Sequence, residues 1–320
     1  MRAYSNWRLA LGIVLLTLAV GCGGSGGTEP QVSSLDGPDV QTALDAISGE
    51  LIKQHMGILA DDALEGRGLG TEGYERALRY VETTLKSYGV EPAGEGGTFR
   101  QRVPLRNSTV VQEASSMNVT SPAGTKTLGY GVDYLLGGDH LREQVAIDNA
   151  PVAFVGYGVS APALGYDDFT TAGDLTGKVV MYLSGAPASL PSNERAYFSS
   201  GAVKDAEAVK RGAIGTISFT SPDDPRFRWD VSVASSTQGS FAWVNEQGQP
   251  SRGDPALRGS ASLNHSGVTA LFAGTPTPLA DVFAAAAASR PQAFDLPTRV
   301  SIATSSTHRD IESANLVGRV

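Results

Sequence analysis

The sequence predicts an α/β fold, with helices leading into strands and a β-rich stretch through the middle of the chain. Three observations point that way. Apolar residues recur at threes and fours from Val40 to Leu59 and again from Tyr74 to Tyr88, the helical period. Val179–Leu183, Ala202–Arg211 and Ile214–Phe219 read as strand, helix, strand, at the spacing of a parallel crossover. The 38 glycines, set beside few lysines, favour strands and tight turns over a helical bundle.

The first residues carry an export signal. Arg2 and Arg8 make a positive start, and Leu9 to Val20 form an apolar run of about a dozen residues, too short for a stable membrane span. The run ends in Ala19-Val20-Gly21-Cys22, small residues leading into the chain's single cysteine. That is the pattern of a bacterial lipoprotein signal. The Cys22 thiol would take a diacylglycerol, and cleavage before it would make it the mature N-terminus. An ordinary signal peptide with an incidental cysteine is the competing reading, and the placing of the sole cysteine argues against it. The expected location is the bacterial cell envelope, with the membrane reached through the lipid anchor. A lone cysteine also leaves no intramolecular disulfide, so the exported domains must be held by their own cores.

Gly23-Gly24-Ser25-Gly26-Gly27-Thr28-Glu29-Pro30 reads as a flexible tether. Beyond it the chain is globular in composition, with 41% hydrophobic residues. A formal charge of −8 gives no grip on phosphate backbones and argues against nucleic acid as a partner.

From Val40 to Leu64 one apolar stripe predicts a helix, which Gly49 and Gly57 could divide in two. After a turn at Glu65–Gly70, Thr71 is placed to cap a second helix and Gly89 to end it. Phe99–Leu105 and Val110–Val119 are expected strands, followed by Val152–Val155 and the crossover unit. Ser221 to Leu263 is polar and rich in Pro and Gly, and is expected to hold loops and irregular strands. Leu279–Ser289 is alanine-rich and helical, stopped by Pro291. Arg299–Thr304 and Asn315–Val320 are strand-like.

Residue chemistry alone yields no active site. There is no G-x-S-x-G elbow and no H-E-x-x-H, and His55, His140, His265 and His308 stand far apart. His140 and Glu143 are three apart, but Gly137-Gly138 beside them does not support a long helix, and a solvated loop histidine is expected. Gly156-Tyr157-Gly158-Val159-Ser160-Ala161 matches the dinucleotide-binding fingerprint in letters. That fingerprint needs a helix whose first amides hold the pyrophosphate. Pro162, Gly165 and Asp167-Asp168 leave no room for one, so a turn beside a packed strand is expected. Asp167, Asp168 and Asp174 lack the spacing of a calcium loop and fit turn and capping roles.

Three stretches together resemble one family. The first runs from His55-Met56-Gly57-Ile58-Leu59-Ala60-Asp61-Asp62 through Glu65-Gly66-Arg67 and Gly70-Thr71-Glu72-Gly73 to Tyr88-Gly89, with Phe99 to Leu105 after it. The second joins Phe154-Val155-Gly156-Tyr157-Gly158, Gly165-Tyr166-Asp167-Asp168-Phe169, Gly177-Lys178-Val179-Val180, Lys204, Ala208, Gly212-Ala213 and Ile217. The third is Ser313-Ala314-Asn315-Leu316-Val317-Gly318. In order and spacing they are similar to the co-catalytic zinc aminopeptidases, metallopeptidase family twenty-eight, relatives of glutamate carboxypeptidase and the transferrin receptor.

After the signal (1–22) and linker (23–39), the resemblance implies the first part of a zinc-exopeptidase α/β domain (40–135), an inserted β-rich protease-associated (PA) domain (136–275) and a return into the peptidase domain (276–320). It implies two zinc ions in the full-length protein, a shared bridging water and a peptide substrate with a free N-terminus. The family's ligands follow the strand that Asn315–Val320 resembles. The expectation is therefore a chain that breaks off before them, with no catalytic or metal-ligating residue, no bound zinc and no activity of its own. The alternative is a non-catalytic surface lipoprotein binding peptide or glycan through its PA domain. A subtilisin-like protease with the same insert fits the Gly66-Arg67 segment poorly.

Overall fold

Ser48 interrupts the first helical stripe. Its hydroxyl accepts the Leu51 amide at 3.2 Å, so a new helix begins there. The result is α1 (Pro38–Asp45) and α2 (Gly49–Leu59), two pieces in place of one helix to Leu64, with Gly57 tolerated inside α2. The computed structural model describes residues 38–320. The described residues fall into two units, divided between Ala60 and Asp61. Cys22 and the rest of the expected signal, residues 1–22, lie outside the described residues. Among those residues no helix is long and apolar enough to cross a membrane.

The second unit opens on a 3-10 turn, Asp62–Arg67, whose Glu65 and Gly66 turn left-handed at φ 50° and 69°. Then comes α3 (Glu72–Ser87). Thr71 caps it as expected, its hydroxyl accepting the Tyr74 amide at 3.3 Å, and Gly89 follows its end at φ 74°. Gly73 lies so close to the opening turn that a Cβ there would meet the Leu64 carbonyl oxygen at 2.0 Å.

The strands are β1 (Glu91–Pro92), β2 (Arg100–Val110), β3 (Ser116–Ser121), β4 (Gly124–Thr127), β5 (Tyr134–Leu136), β6 (Gln144–Phe154), β7 (Ser160–Ala161), β8 (Tyr166–Asp167) and β9 (Val179–Leu183). After helices α4 (Ser192–Phe198) and α5 (Gly201–Lys210) comes β10 (Gly215–Phe219). Next are α6 (Trp229–Ser236), β11 (Ser240–Trp243), β12 (Ser260–Leu263), α7 (His265–Leu271) and α8 (Leu279–Ala287). The chain then forms β13 (Phe294–Leu316) and β14 (Gly318–Arg319).

One mixed sheet runs β11-β2-β13-β6-β9-β10-β12-β5, with β3 and β4 attached beside β13. The crossover forms as expected: β9 and β10 are parallel, from Gly215 opposite Val179 to Phe219 opposite Leu183, with α5 between them in the chain. Three expectations change. Residues 110–119 hold the end of β2, a 3-10 turn at Gln112–Ala114 and the start of β3 in place of one strand. Residues 221–263 hold α6, β11 and β12 as regular elements. Residues 299–304 and 315–316 belong to a single strand, β13, of 23 residues. Its middle, Ser305 to Ala314, is polar because it runs in a narrow ribbon against β2, where pairing is by backbone and little apolar face is needed.

Alternation along β9 feeds two cores. Val179, Met181 and Leu183 join Val152, Phe154, Ile217, Leu263 and Val268 on one face. Val180 and Tyr182 join Ala153, Val155, Ala208 and Ala213 on the other, under α5. Full burial of a side chain such as Phe154 contributes about 2–3 kcal/mol.

The ribbon has a direction. Arg100 pairs with Leu316 and Val110 with Ser306, so β2 carries the chain toward the large sheet and β13 carries it back. At the near end α3 and β14 close over the ribbon. The Tyr74 hydroxyl donates to the Ala314 carbonyl at 2.9 Å, Glu75 pairs with Arg100 at 2.9 Å, and β14 pairs with β1.

Candidate binding cleft

Parallel strands covered on both sides are usually apolar throughout. β10 and β12 depart from that. Thr216 and Ser218 on β10 stand beside Ser260 and Ser262 on β12 and share the face of Val180 and Tyr182. The hydroxyls of Ser218 and Ser262 lie 2.9 Å apart. On this hydroxyl-bearing side an open cleft of about 840 Å³ lies between the strands and α6. Ser184 and Gly185, just past β9, form one rim, and Arg228 and Trp229 also line the cleft.

A buried cation fixes that rim. Lys204, on α5, is 2% exposed, and its ammonium donates to the Leu183 carbonyl at 2.7 Å and to the Gly185 carbonyl. It also lies over the rings of Tyr157 and Tyr182, at 5.8 and 5.1 Å from their centroids. Burial pushes its pKa down to about 7, against the pull of Asp168 and Asp205. Asp205 accepts the Tyr182 hydroxyl at 2.9 Å, and burial raises its own pKa.

The glycine turn has its own anion. Gly156 and Gly158 take φ of 52° and 67°, which opens the Tyr157 and Val159 amides toward one point. The carboxylate of Asp168 fills that point, accepting both amides at 3.0 and 3.2 Å and the Tyr166 hydroxyl at 2.8 Å. Burial raises Asp168 to about 6, despite these donors. The turn expected at these letters is present, and an internal side chain satisfies the amides that a pyrophosphate would need. Asp167 and Asp174 cap the Phe169 and Thr176 amides at 2.9 Å each.

His140 and His308 lie near one another, each held by a backbone carbonyl, and the other two have separate settings. His55 is on α2, and His265 stacks on Phe283. His140 corrects one expectation: it is 5% exposed, not solvated, with Nε2 donating to the Ser240 carbonyl at 3.1 Å, and burial lowers its pKa. His308 Nε2 meets the Asp139 carbonyl at 2.7 Å. Among the described residues no three His, Cys, Asp or Glu side chains converge to hold a metal. The residues present do not fit a zinc centre, which needs at least three ligands in one cluster.

Neither a protein-family model nor a curated protein matches the sequence. Among solved structures, the chain is similar to an aminopeptidase from Aneurinibacillus sp. strain AM-1. The identity is 15% and the TM-score 0.40, over 85% of this chain and 47% of that one. It is also similar to BSAP, a zinc aminopeptidase from Bacillus subtilis, at 12% identity and TM-score 0.31, over 83% and 46%. The chain thus spans less than half the length of these proteins.

Reasoning from sequence did not find the hydroxyl face. Its signal was the alternation in Gly-Thr-Ile-Ser-Phe and Ser-Ala-Ser-Leu, which puts small polar residues at every second position of two neighbouring strands.

Proposed function

We propose that this chain is the leading portion of an exported, lipid-anchored zinc aminopeptidase, and that its inserted PA domain, residues 136–275, lies within the sheet beyond the ribbon. The ribbon is the observation that carries this reading. β2 and β13 pair over eleven residues, so the segments before and after the large sheet return to one another. There Tyr74, Arg100 and β14 join them. An insertion into a host domain has that topology, with one strand out and one strand back. The motifs that resemble a zinc aminopeptidase, Gly66-Arg67 and Thr71 on one side and Ser313 to Gly318 on the other, lie on those flanking segments.

The two zinc ions and their ligands are those that the resemblance implies for the full-length protein. The substrate would be a peptide with a free N-terminus. Cys22 would hold the protein to the membrane of the bacterial envelope.

The test compares two proteins: the product of the whole reading frame that contains these residues, and the 320-residue chain. Each is dialysed, analysed for metal and assayed on leucine p-nitroanilide with and without a chelator. Zinc retention and chelator-sensitive hydrolysis are expected of the first and not of the second. Hydrolysis by the 320-residue chain would overturn the assignment of the ligands, and a full product without zinc would favour the non-catalytic binding lipoprotein.

A further inference from the structure

We propose that the cleft over β10 and β12 binds a short neutral saccharide, a role separate from peptide hydrolysis.

The lining chooses the ligand class. Hydroxyl side chains both donate and accept. A surface built from Ser184, Ser218, Thr220, Ser260 and Ser262 therefore matches a ligand whose own groups are hydroxyls. The charges at the mouth cancel one another. Arg226 is paired with Asp224 and Arg228 with Asp230, each at 2.8 Å, and the Lys204 ammonium beneath the rim is spent on two carbonyls. The cleft thus presents no uncompensated charge to an anion or a cation.

An extended peptide is poorly served. Peptides recognised by their backbone need a free strand edge; both edges of β10 and of β12 are already paired, and the free edge beside the cleft, β5, is only three residues long. What remains is a face of side chains.

An aromatic wall completes the fit. The Trp229 indole N–H donates to the Gly131 carbonyl at 2.8 Å, which fixes the ring, and Phe227 lies beside it at 6.2 Å between centroids. Hydroxyls and an apolar ring in one lining suit a sugar, whose equatorial hydroxyls ring its edge and whose C–H groups cover its faces. The volume of about 840 Å³ lies within the roughly 300–1,000 Å³ of small-molecule sites, enough for a short oligosaccharide. The rim is set before a ligand arrives, because Lys204 ties Leu183 and Gly185 to α5.

Calorimetric titration of the full chain with cellotetraose, maltotetraose and chitotetraose tests this, with tetra-alanine and inorganic phosphate as controls. Tryptophan emission is followed alongside. At least one saccharide is expected to bind with sub-millimolar affinity and shift the emission, and neither control should do so. The paired substitution Ser218→Ala and Ser262→Ala should weaken binding tenfold or more, and Trp229→Ala should abolish it. Because Trp229 also anchors Gly131, Trp229→Phe is measured too. It keeps a ring without the indole N–H, and should bind within about tenfold of wild type while losing the emission shift. The proposal is overturned if no saccharide binds at millimolar concentration. It is equally overturned if the serine pair binds as tightly as wild type, or if tetra-alanine or phosphate binds in preference. The readout is binding, so loss or presence of hydrolysis elsewhere in the protein does not alter the outcome.

Discussion

Replacing Asp168 tests whether a buried acceptor holds the glycine turn. The carboxylate is 0% exposed and receives the Tyr157 and Val159 amides and the Tyr166 hydroxyl, with the Gln292 amide at 3.4 Å as a weaker fourth donor. In Asp168→Ala three buried donors lose their acceptor, at about 1–3 kcal/mol each, or roughly 6 kcal/mol together. Against this stands the burial that lifts the carboxyl to about 6, some two pKa units above an ordinary aspartate. At about 1.4 kcal/mol per unit, the variant recovers roughly 3 kcal/mol by having no charge to bury. The net expectation is a loss of about 3 kcal/mol. Asp168→Asn has no charge either but keeps an oxygen for the two amides, so it should stay within about 1 kcal/mol of wild type. Urea unfolding at neutral pH, followed by tryptophan emission, reads both. With slopes of about 1–3 kcal/mol per molar, the alanine midpoint should fall by at least about 1 M. An alanine variant within about 1 kcal/mol of wild type would refute the reasoning. So would an asparagine variant as damaged as the alanine one, which would mean that the charge, not the acceptor, matters.

Lys204 should make stability rise with pH. Its folded pKa is about 7 against an ordinary value of about 10.4, so between those limits the unfolded chain holds a proton that the folded chain has shed, and the folded state gains as pH climbs. The wild-type urea midpoint should climb from pH 7 to 9 and that of Lys204→Met should stay flatter; equal slopes would contradict the assignment. Gly73→Ala forces a Cβ against the Leu64 carbonyl and should cost about 1–3 kcal/mol. Gly57→Ala, with nothing within 4 Å, should instead strengthen α2 by about 0.5–1 kcal/mol. Thermal melts followed by circular dichroism separate the two signs. Cys22→Ser should leave the protein unprocessed or release it from the membrane fraction; a processed, membrane-bound variant at wild-type level would rule out the anchor.

What could be read from the sequence was what local chemistry decides. The apolar stripe of α3, its Thr71 cap and Gly89 stop lie within one stretch of chain, as do the buried runs of β9 and β10, and all appear where the pattern put them. The parts that escaped depend on partners far away. The polar middle of β13 carries no strand pattern of its own and becomes a strand because β2, some two hundred positions earlier, lies opposite. Ser-Ala-Ser-Leu reads as loop composition until β10 is placed beside it, when the serines become one face of a sheet. Asp168 fits its local reading as a turn residue, yet nothing near it foretells burial at 0% exposure or the distant Gln292 amide among its donors. The Gly-Tyr-Gly letters show the same limit from the other side. They read as a turn beside a packed strand, and that turn is present, with its amides gathered around an anion. Which anion arrives is decided ten residues later, by a carboxylate that the same turn folds back onto itself. A motif of this kind states a backbone conformation, and only the side chains packed against it state a function.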